Sequence, residues 1–266
     1  MSALNAIFRK SILLATHNRV VASGIRRYGL RLGAARVVAG ETFDECAIAL
    51  KALNDKGLAT NTTLLGEGVA DEETARGVVA CYSAILDGIS ERGLNTNVAL
   101  KLTHLGLDLG EDVACQNVES LVGHAAGLHN FIRIDMEESG RVDATLRIYR
   151  RLREQGHDDV GTVLQSALYR SEDDLRELLE YQPNLRLVKG AYLEPASIAY
   201  SQKSDVDANY LSMAKLSLSN GGHTANCAAT SDNRFDNAIE CDLSSQFILL
   251  STKQYTSSIC APVCGS

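Results

Sequence analysis

The sequence has no tryptophan and only three prolines in 266 residues. No window offers the roughly 18 consecutive apolar residues of a membrane-spanning helix, so no spanning segment is expected. No G-x-G-x-x-G follows the first apolar run, and no G-x-x-x-x-G-K-[ST] occurs anywhere; both absences argue against the phosphate-cradling turns of the nucleotide folds. No two of the seven cysteines stand in C-x-x-C spacing, and no histidine accompanies Cys241, Cys260 and Cys264. Cys260-x-x-x-Cys264 alone is a poor zinc signal, so no metal is expected. Cys46, Cys81 and Cys115 fall singly within helical patterns, the profile of small buried thiols, and a reducing compartment is the default.

Acid is missing where base is plentiful. Residues 1–40 hold seven Lys/Arg and no Asp or Glu, although the whole chain carries a net charge of −7. An Arg-rich, acid-free start is the composition of a transit peptide or of a basic surface that meets anionic lipid. A pair of N-terminal helices with solvated basic faces is the preferred reading. The acidity of the remainder argues against a nucleic-acid partner.

At 45% hydrophobic and 22% charged residues, the composition is that of a soluble globular protein long enough for one large domain. Short apolar runs recur at 62–67, 97–105, 131–135, 160–165, 185–190 and, less clearly, 223–230. Helical patterns fill the gaps at 71–90, 111–126, 141–155, 172–181 and 205–218, with Asp71-Glu72-Glu73 suited to a helix N-terminus and Ser171 with Asp174 to a capping box. Alternating strands and helices predict parallel βαβ units. Lys101, Asp135, Gln165 and Lys189 each stand at or near the C-terminal end of an apolar run. In a (β/α)8 barrel those ends converge on one mouth, where catalytic side chains sit; a doubly wound sheet would spread them along an open edge. The expected fold is therefore α/β, a distorted (β/α)8 barrel.

The run "NLRLVKG" (184–190) carries two cations into a segment that otherwise reads as buried, and buried charge is costly unless paired or used. Strand side chains alternate faces, so Arg186 and Lys189, three apart, point opposite ways if the strand stays regular.

Seven stretches, in order, then carry a resemblance: "RVVAGET" (36–42), "TLLGE" (63–67), "ALKLTHLG" (99–106), "IDMEESGRVDATL" (134–146), "GTVLQSALYRS" (161–171), "RLVKGAYLEPASIAY" (186–200) and "DVDANY" (205–210). The chain resembles the bacterial monofunctional proline dehydrogenases over residues 5 to 232. The resemblance implies FAD-dependent oxidation of L-proline to Δ1-pyrroline-5-carboxylate, electrons passing to a membrane quinone, on a distorted (β/α)8 barrel preceded by N-terminal helices. It implies a cytoplasmic location, peripheral at the inner membrane, and no nucleic-acid partner. Carried over residue by residue, Lys101 binds the proline carboxylate and Asp135 is the active-site aspartate. Met136 and Gln165 contact the flavin. Arg186 and Lys189 hold it, Arg186 also stabilising the charge of its reduced form, with Gly190 and Ala191 allowing close backbone approach. Without the resemblance, Lys101 reads as a surface or core-rim lysine, Asp135 as a helix N-cap before "MEES", Met136 as a core filler and Gln165 as a satisfied polar group.

The resemblance fails toward the end. A Thr-His flavin contact is expected where the chain reads Thr230-Ser231. After Asp232 there is no match to the eighth-strand tyrosine or the Arg-Arg helix of the family, and residues 235–266 contain one cation, Lys253. Three regions are expected: an N-terminal helical segment (1–58), barrel units carrying the flavin site (59–232) and a divergent, disordered tail (233–266). Two rival readings remain: a relic that only binds flavin, and a Schiff-base aldolase using Lys101 or Lys189.

Overall fold

A computed structural model of the chain describes residues 39, 40 and 42–220, with the backbone of residues 224–225 and 258–260. The elements alternate: α1 (Phe43–Asn54), β1 (Thr60–Leu64), α2 (Glu72–Glu91), β2 (Thr96–Leu100), α3 (Glu111–Gly127), β3 (Ile132–Ile134), α4 (Val142–Glu154), β4 (Val160–Gln165), α5 (Ser171–Leu178), β5 (Asn184–Val188), α6 (Lys203–Ser219), β6 (Thr224–Ala225) and β7 (Ser258–Cys260). The N-terminal helices expected before residue 39 lie outside the described residues.

Each helix forms for local reasons. Asp71 caps α2, its carboxylate accepting from Thr74 N at 2.7 Å, and Thr42 caps α1 by accepting from Glu45 N at 3.2 Å; such caps satisfy amides that have no intrahelical partner. In α4, Val142, Leu146, Tyr149 and Leu152 recur at helical spacing and are buried. The arginines between them face out to acids on neighbouring elements, among them Arg147–Glu111 and Arg151–Asp112.

The strands form one parallel sheet in the order β6-β5-β4-β3-β2-β1-β7. From β1 to β6 the order follows the sequence with no reversal, unlike a doubly wound sheet, whose strand order turns back at a switch point. Register aligns Ala99 with Arg133, Arg133 with Gly161 and Gly161 with Asn184. Because side chains alternate, the two faces differ in chemistry. One carries Val98, Leu100, Ile132, Ile134, Leu185 and Leu187, all within the buried core. The other carries Asn61, Asn97, Arg133, Asp135, Gln165, Asn184 and Arg186. A parallel strand buried on both faces ordinarily reads as a continuous apolar run; here the second face is polar, which is why charged residues interrupt the runs.

Three local expectations change. The apolar run at 97–105 splits into β2 and a single 3-10 turn at Thr103–Leu105. Ser171 does not cap α5: its hydroxyl turns back to donate to Gln165 O at 2.5 Å, and Asp174 pairs with Arg170. Ser171 is itself the first residue of α5, after Arg170 at the N-cap. Of the three cysteines read as thiols, Cys115 is free and buried, whereas Cys46 and Cys81 are disulfide-bonded. Helical periodicity reports burial, and it is blind to which cysteine the tertiary fold brings near.

Candidate active site

Parallel strands bring their C-terminal ends to one edge of the sheet, and the polar face delivers its charges there. Asp135, the first residue beyond β3, donates its backbone N–H to Leu100 O at 2.8 Å, so it still follows the strand direction. Its carboxylate forms an ion pair with Arg186 of β5, crossing over β4; the two side chains are 23% and 24% exposed. Asp135 caps no helix. Burial pushes its carboxyl up, and the charges of Arg186, Arg133 and Lys101 oppose that shift. Arg186 keeps one donor in reserve, since its Nε is buried and has no hydrogen-bond partner among the described residues.

Lys101 follows β2 and is paired with Glu67, in the turn after β1. The turn beyond Lys101 is held by the buried Glu137, whose carboxylate accepts from Thr103 N at 3.1 Å and from the Thr103 hydroxyl at 2.6 Å. Burial raises Glu137 against those bonds. Gln165, at the end of β4, is buried. Its Nε2 donates to Met136 O and Glu137 O, each at 3.0 Å. The segment 135–137 is thereby braced from β2 on one side and from β4 on the other. Met136 is itself buried in the core.

Arg186 and Lys189 part ways as strand alternation requires. Arg186 lies on the polar face, while Lys189 turns toward α6 and pairs with Asp207, which also binds Lys203. Burial lifts Asp207, but the hydrogen bonds and charges of those lysines outweigh it and hold the carboxyl below its usual value. Gly190 has φ 111°, in the region that favours glycine. A Cβ there would stand 3.1 Å from Gln165 Oε1 and 3.2 Å from Ala167 Cβ. The turn therefore has its own need for glycine. Ala191 is exposed and Tyr192 half-buried; burial pushes the Tyr192 phenol up to about 12, with Glu137, Glu67, Glu138 and Asp135 adding to the shift. Thr230 and Ser231 lie outside the described residues.

The structure thus brings Lys101, Asp135, Gln165 and Arg186 to one edge and directs Lys189 away to α6. Sequence reasoning had assigned no role to Glu67, Glu137, Asp207, Asn209 or Tyr192, although each stands within a quoted motif. Asn209 is informative: it donates to Ser166 O at 2.8 Å, tying α6 to the β4 exit. Among the described residues no group of three or more His, Cys, Asp or Glu could hold a metal ion, and no helix is long and apolar enough to cross a membrane.

Comparison with known proteins identifies the family. The profile of the proline dehydrogenase family matches residues 46–248. The chain belongs to the proline dehydrogenase family. It is accordingly an oxidoreductase acting on CH–NH donors. Proline dehydrogenase 1 of Bacillus subtilis (strain 168) is 37% identical over 227 residues, which is 85% of this chain and 74% of that relative. The proline dehydrogenase of Deinococcus radiodurans is 37% identical over 235 residues, 87% of this chain and 75% of its own length. The fold matches proline utilization A from Bdellovibrio bacteriovorus inactivated by N-propargylglycine, with TM-score 0.69 and 21% identity over 79% of this chain. The chain spans 27% of that larger protein.

Proposed function

We propose that the chain oxidises L-proline to Δ1-pyrroline-5-carboxylate with FAD as hydride acceptor and a quinone as the final acceptor of the electrons. The observation that carries this reading is the Asp135–Arg186 pair at the strand ends, flanked by Lys101 and Gln165. Two features of the site fit an anionic cofactor. Arg186 Nε is a buried donor awaiting an acceptor, and the exposed backbone after Gly190 leaves the strand end approachable. Bound FAD would supply a hydride acceptor that no side chain can provide.

In this reading the chain's own groups position and balance charge. Lys101, an ammonium at the end of β2, receives the substrate carboxylate in exchange for Glu67. Asp135 faces the substrate amine and holds it in place. Arg186 turns its free donor to the flavin, stabilising negative charge there. Gln165 and Met136 fix the wall between them, and Gly190 and Ala191 offer backbone. Lys189 would join the cofactor contacts by leaving Asp207, and Thr230 and Ser231 would complete them. We further propose that the sheet is part of a distorted (β/α)8 barrel whose polar face is the interior. The sequential parallel order and the position of β7 beside β1 support this. Contact with the inner membrane would follow from the basic first 40 residues and the quinone.

A second reading is a chain that binds flavin without turnover. The aldolase reading is weaker, since both candidate lysines are committed to carboxylates and an imine-forming amine must be free. The deciding experiment is a visible spectrum of the purified chain before and after anaerobic L-proline. A flavin band that bleaches supports oxidation; a band that persists leaves the flavin-binding reading; a colourless folded protein refutes both.

A further inference from the structure

We propose that Glu194 is a positioning residue for Tyr192: its carboxylate latches the strap of residues 190–195 onto the β3 exit and so holds the Tyr192 ring over the strand-end edge that carries Asp135. The proposal rests on the functional reading given above where it names proline as the ligand.

Between Val188, the last residue of β5, and Lys203, the first of α6, the chain forms no helix and a single bridge, Leu168 with Ala199. The far half of this span is tied to the loop after β4. Tyr169 N donates to Ile198 O at 3.0 Å, Tyr200 N to Ala167 O at 2.9 Å and the Tyr169 hydroxyl to Ala196 O at 2.9 Å. The Tyr169 and Tyr200 rings meet edge-on with centroids 4.6 Å apart. The near end is fixed where Ala167 N donates to Lys189 O at 2.8 Å. Between these anchors, among the described residues, no backbone hydrogen bond falls on Gly190 to Glu194. What holds that stretch must be a side chain.

Exposure alternates along it: Ala191, Leu193 and Pro195 are exposed, whereas Tyr192 and Glu194 are half-buried. That is the pattern of an extended segment, in which residues two apart share a side, so Tyr192 and Glu194 both face the protein. Glu194 reaches the turn after β3, where its carboxylate accepts from Ser139 N at 2.7 Å and from the Ser139 hydroxyl at 2.6 Å. Ser139 opens the 3-10 turn (Ser139–Arg141) that runs into α4, and neither that turn nor α4 has a capping side chain next to it in sequence. Amides at such a terminus favour a carboxylate, and this one arrives from 55 residues along the chain. Hydrogen bonds to an ionised acceptor are stronger than neutral ones. The strap thus crosses from the β5 exit to the β3 exit past the end of β4 and carries Tyr192 with it. The carboxylates whose charges act on the Tyr192 phenol are Glu137, Glu138 and Asp135 from the β3 exit and Glu67 from the β1 exit. Gly190 gives the strap a flexible root, which leaves Glu194 to fix the ring from the other end. With Glu194 released, the ring can swing away and Asp135, 23% exposed with the strap in place, opens to water, which weakens every charge interaction at the edge.

The test reads Tyr192 directly, by 19F NMR of the full chain labelled with 3-fluorotyrosine. Tyr192→Phe assigns the resonance, and a neutral soluble gadolinium chelate measures its exposure. Glu194→Ala should shift the resonance and raise its paramagnetic broadening about threefold, as a half-buried ring becomes exposed. Ser139→Ala, which keeps the amide donor, should raise it by less, and Ser139→Thr, which keeps both donors, should match the wild type. A folded Glu194→Ala chain with the Tyr192 signal unchanged would overturn the proposal and leave Glu194 a cap for the turn into α4, because losing a cap lowers Tm without moving that ring. Should Glu194→Ala not fold, Ser139→Ala decides in the same way on the same signal. In the flavin-loaded chain, Glu194→Ala is expected to raise the KM for proline about tenfold with kcat within about twofold of the wild type. An unchanged KM beside a displaced Tyr192 would also overturn the proposal. A wild-type chain that binds FAD but does not turn over proline would sink the functional reading, whereas the NMR signal would still judge the strap.

Discussion

Replacing Gln165 with methionine isolates what the β4 exit contributes to the site. The side chains are close in volume, so the cavity and overpacking costs of a core substitution are small. The loss is in hydrogen bonding. Two bonds of 3.0 Å, from Nε2 to Met136 O and Glu137 O, disappear in a residue that is 4% exposed. A net loss of about 1 kcal/mol per bond is the ordinary expectation, and a carbonyl left buried without that donor raises it toward about 2. Gln165→Met should therefore cost about 2–4 kcal/mol. For a chain of this size, that corresponds to a fall in Tm of roughly 5–15 °C. Urea unfolding followed by circular dichroism should show a lower midpoint with an unchanged slope. Gln165→Glu sharpens the test: above its raised carboxyl pKa it sets a carboxylate against two carbonyl oxygens, while at lower pH the protonated acid can donate again. Its stability should thus decline as pH rises, opposite in sign to an ordinary ion-paired acid. A loss below about 0.5 kcal/mol in Gln165→Met would refute the view that this amide braces the segment carrying Asp135.

Three further outcomes follow from other contacts. Glu67→Gln removes the internal anion that occupies Lys101; since this pair is partly exposed and worth at most about 1 kcal/mol, Tm should hardly move, while the KM for proline falls about threefold in steady-state assays. Burial, reinforced by Lys101 and opposed by Glu67, depresses His104 below its ordinary pKa, and its ring packs on Gly66 and edge-on to Tyr82. The unfolded chain therefore binds a proton more readily, so unfolding free energy should be flat above about pH 7 and fall as pH drops below about 6.5; in His104→Gln, urea titrations across that range should lose the slope. Gly161→Ala should destabilise by about 2–3 kcal/mol or more, since its Cβ meets a backbone carbonyl as well as Arg133; a neutral result in thermal unfolding would refute the close approach of β4 and β5.

Much of this architecture is legible in the sequence. β4 and α3 coincide with their expected ranges to within a residue, because a short apolar run and a helical pattern opened by acidic residues are local properties. Of the four polar residues at the ends of apolar runs, Lys101, Asp135 and Gln165 lie at the strand-end edge beside Arg186, whereas Lys189 pairs with Asp207 on α6. Arg186 and Lys189 diverge as period-two alternation demands. Ser171 misled because its hydroxyl had two acceptable partners, one local and one across the β4 exit, and only packing chooses between them.

The sequence by itself determined the order of strands and helices, the face on which each strand side chain falls and the family of the chain, since these follow from spacing of a few residues along one segment. Tertiary structure alone decided the partners. Glu67 for Lys101, Asp207 for Lys189, Arg186 for Asp135 and the glycine gap that admits Arg133 all join segments 18 to 51 residues apart. Such pairings depend on strand register, and register is set by the packing of the whole sheet rather than by any one stretch within it.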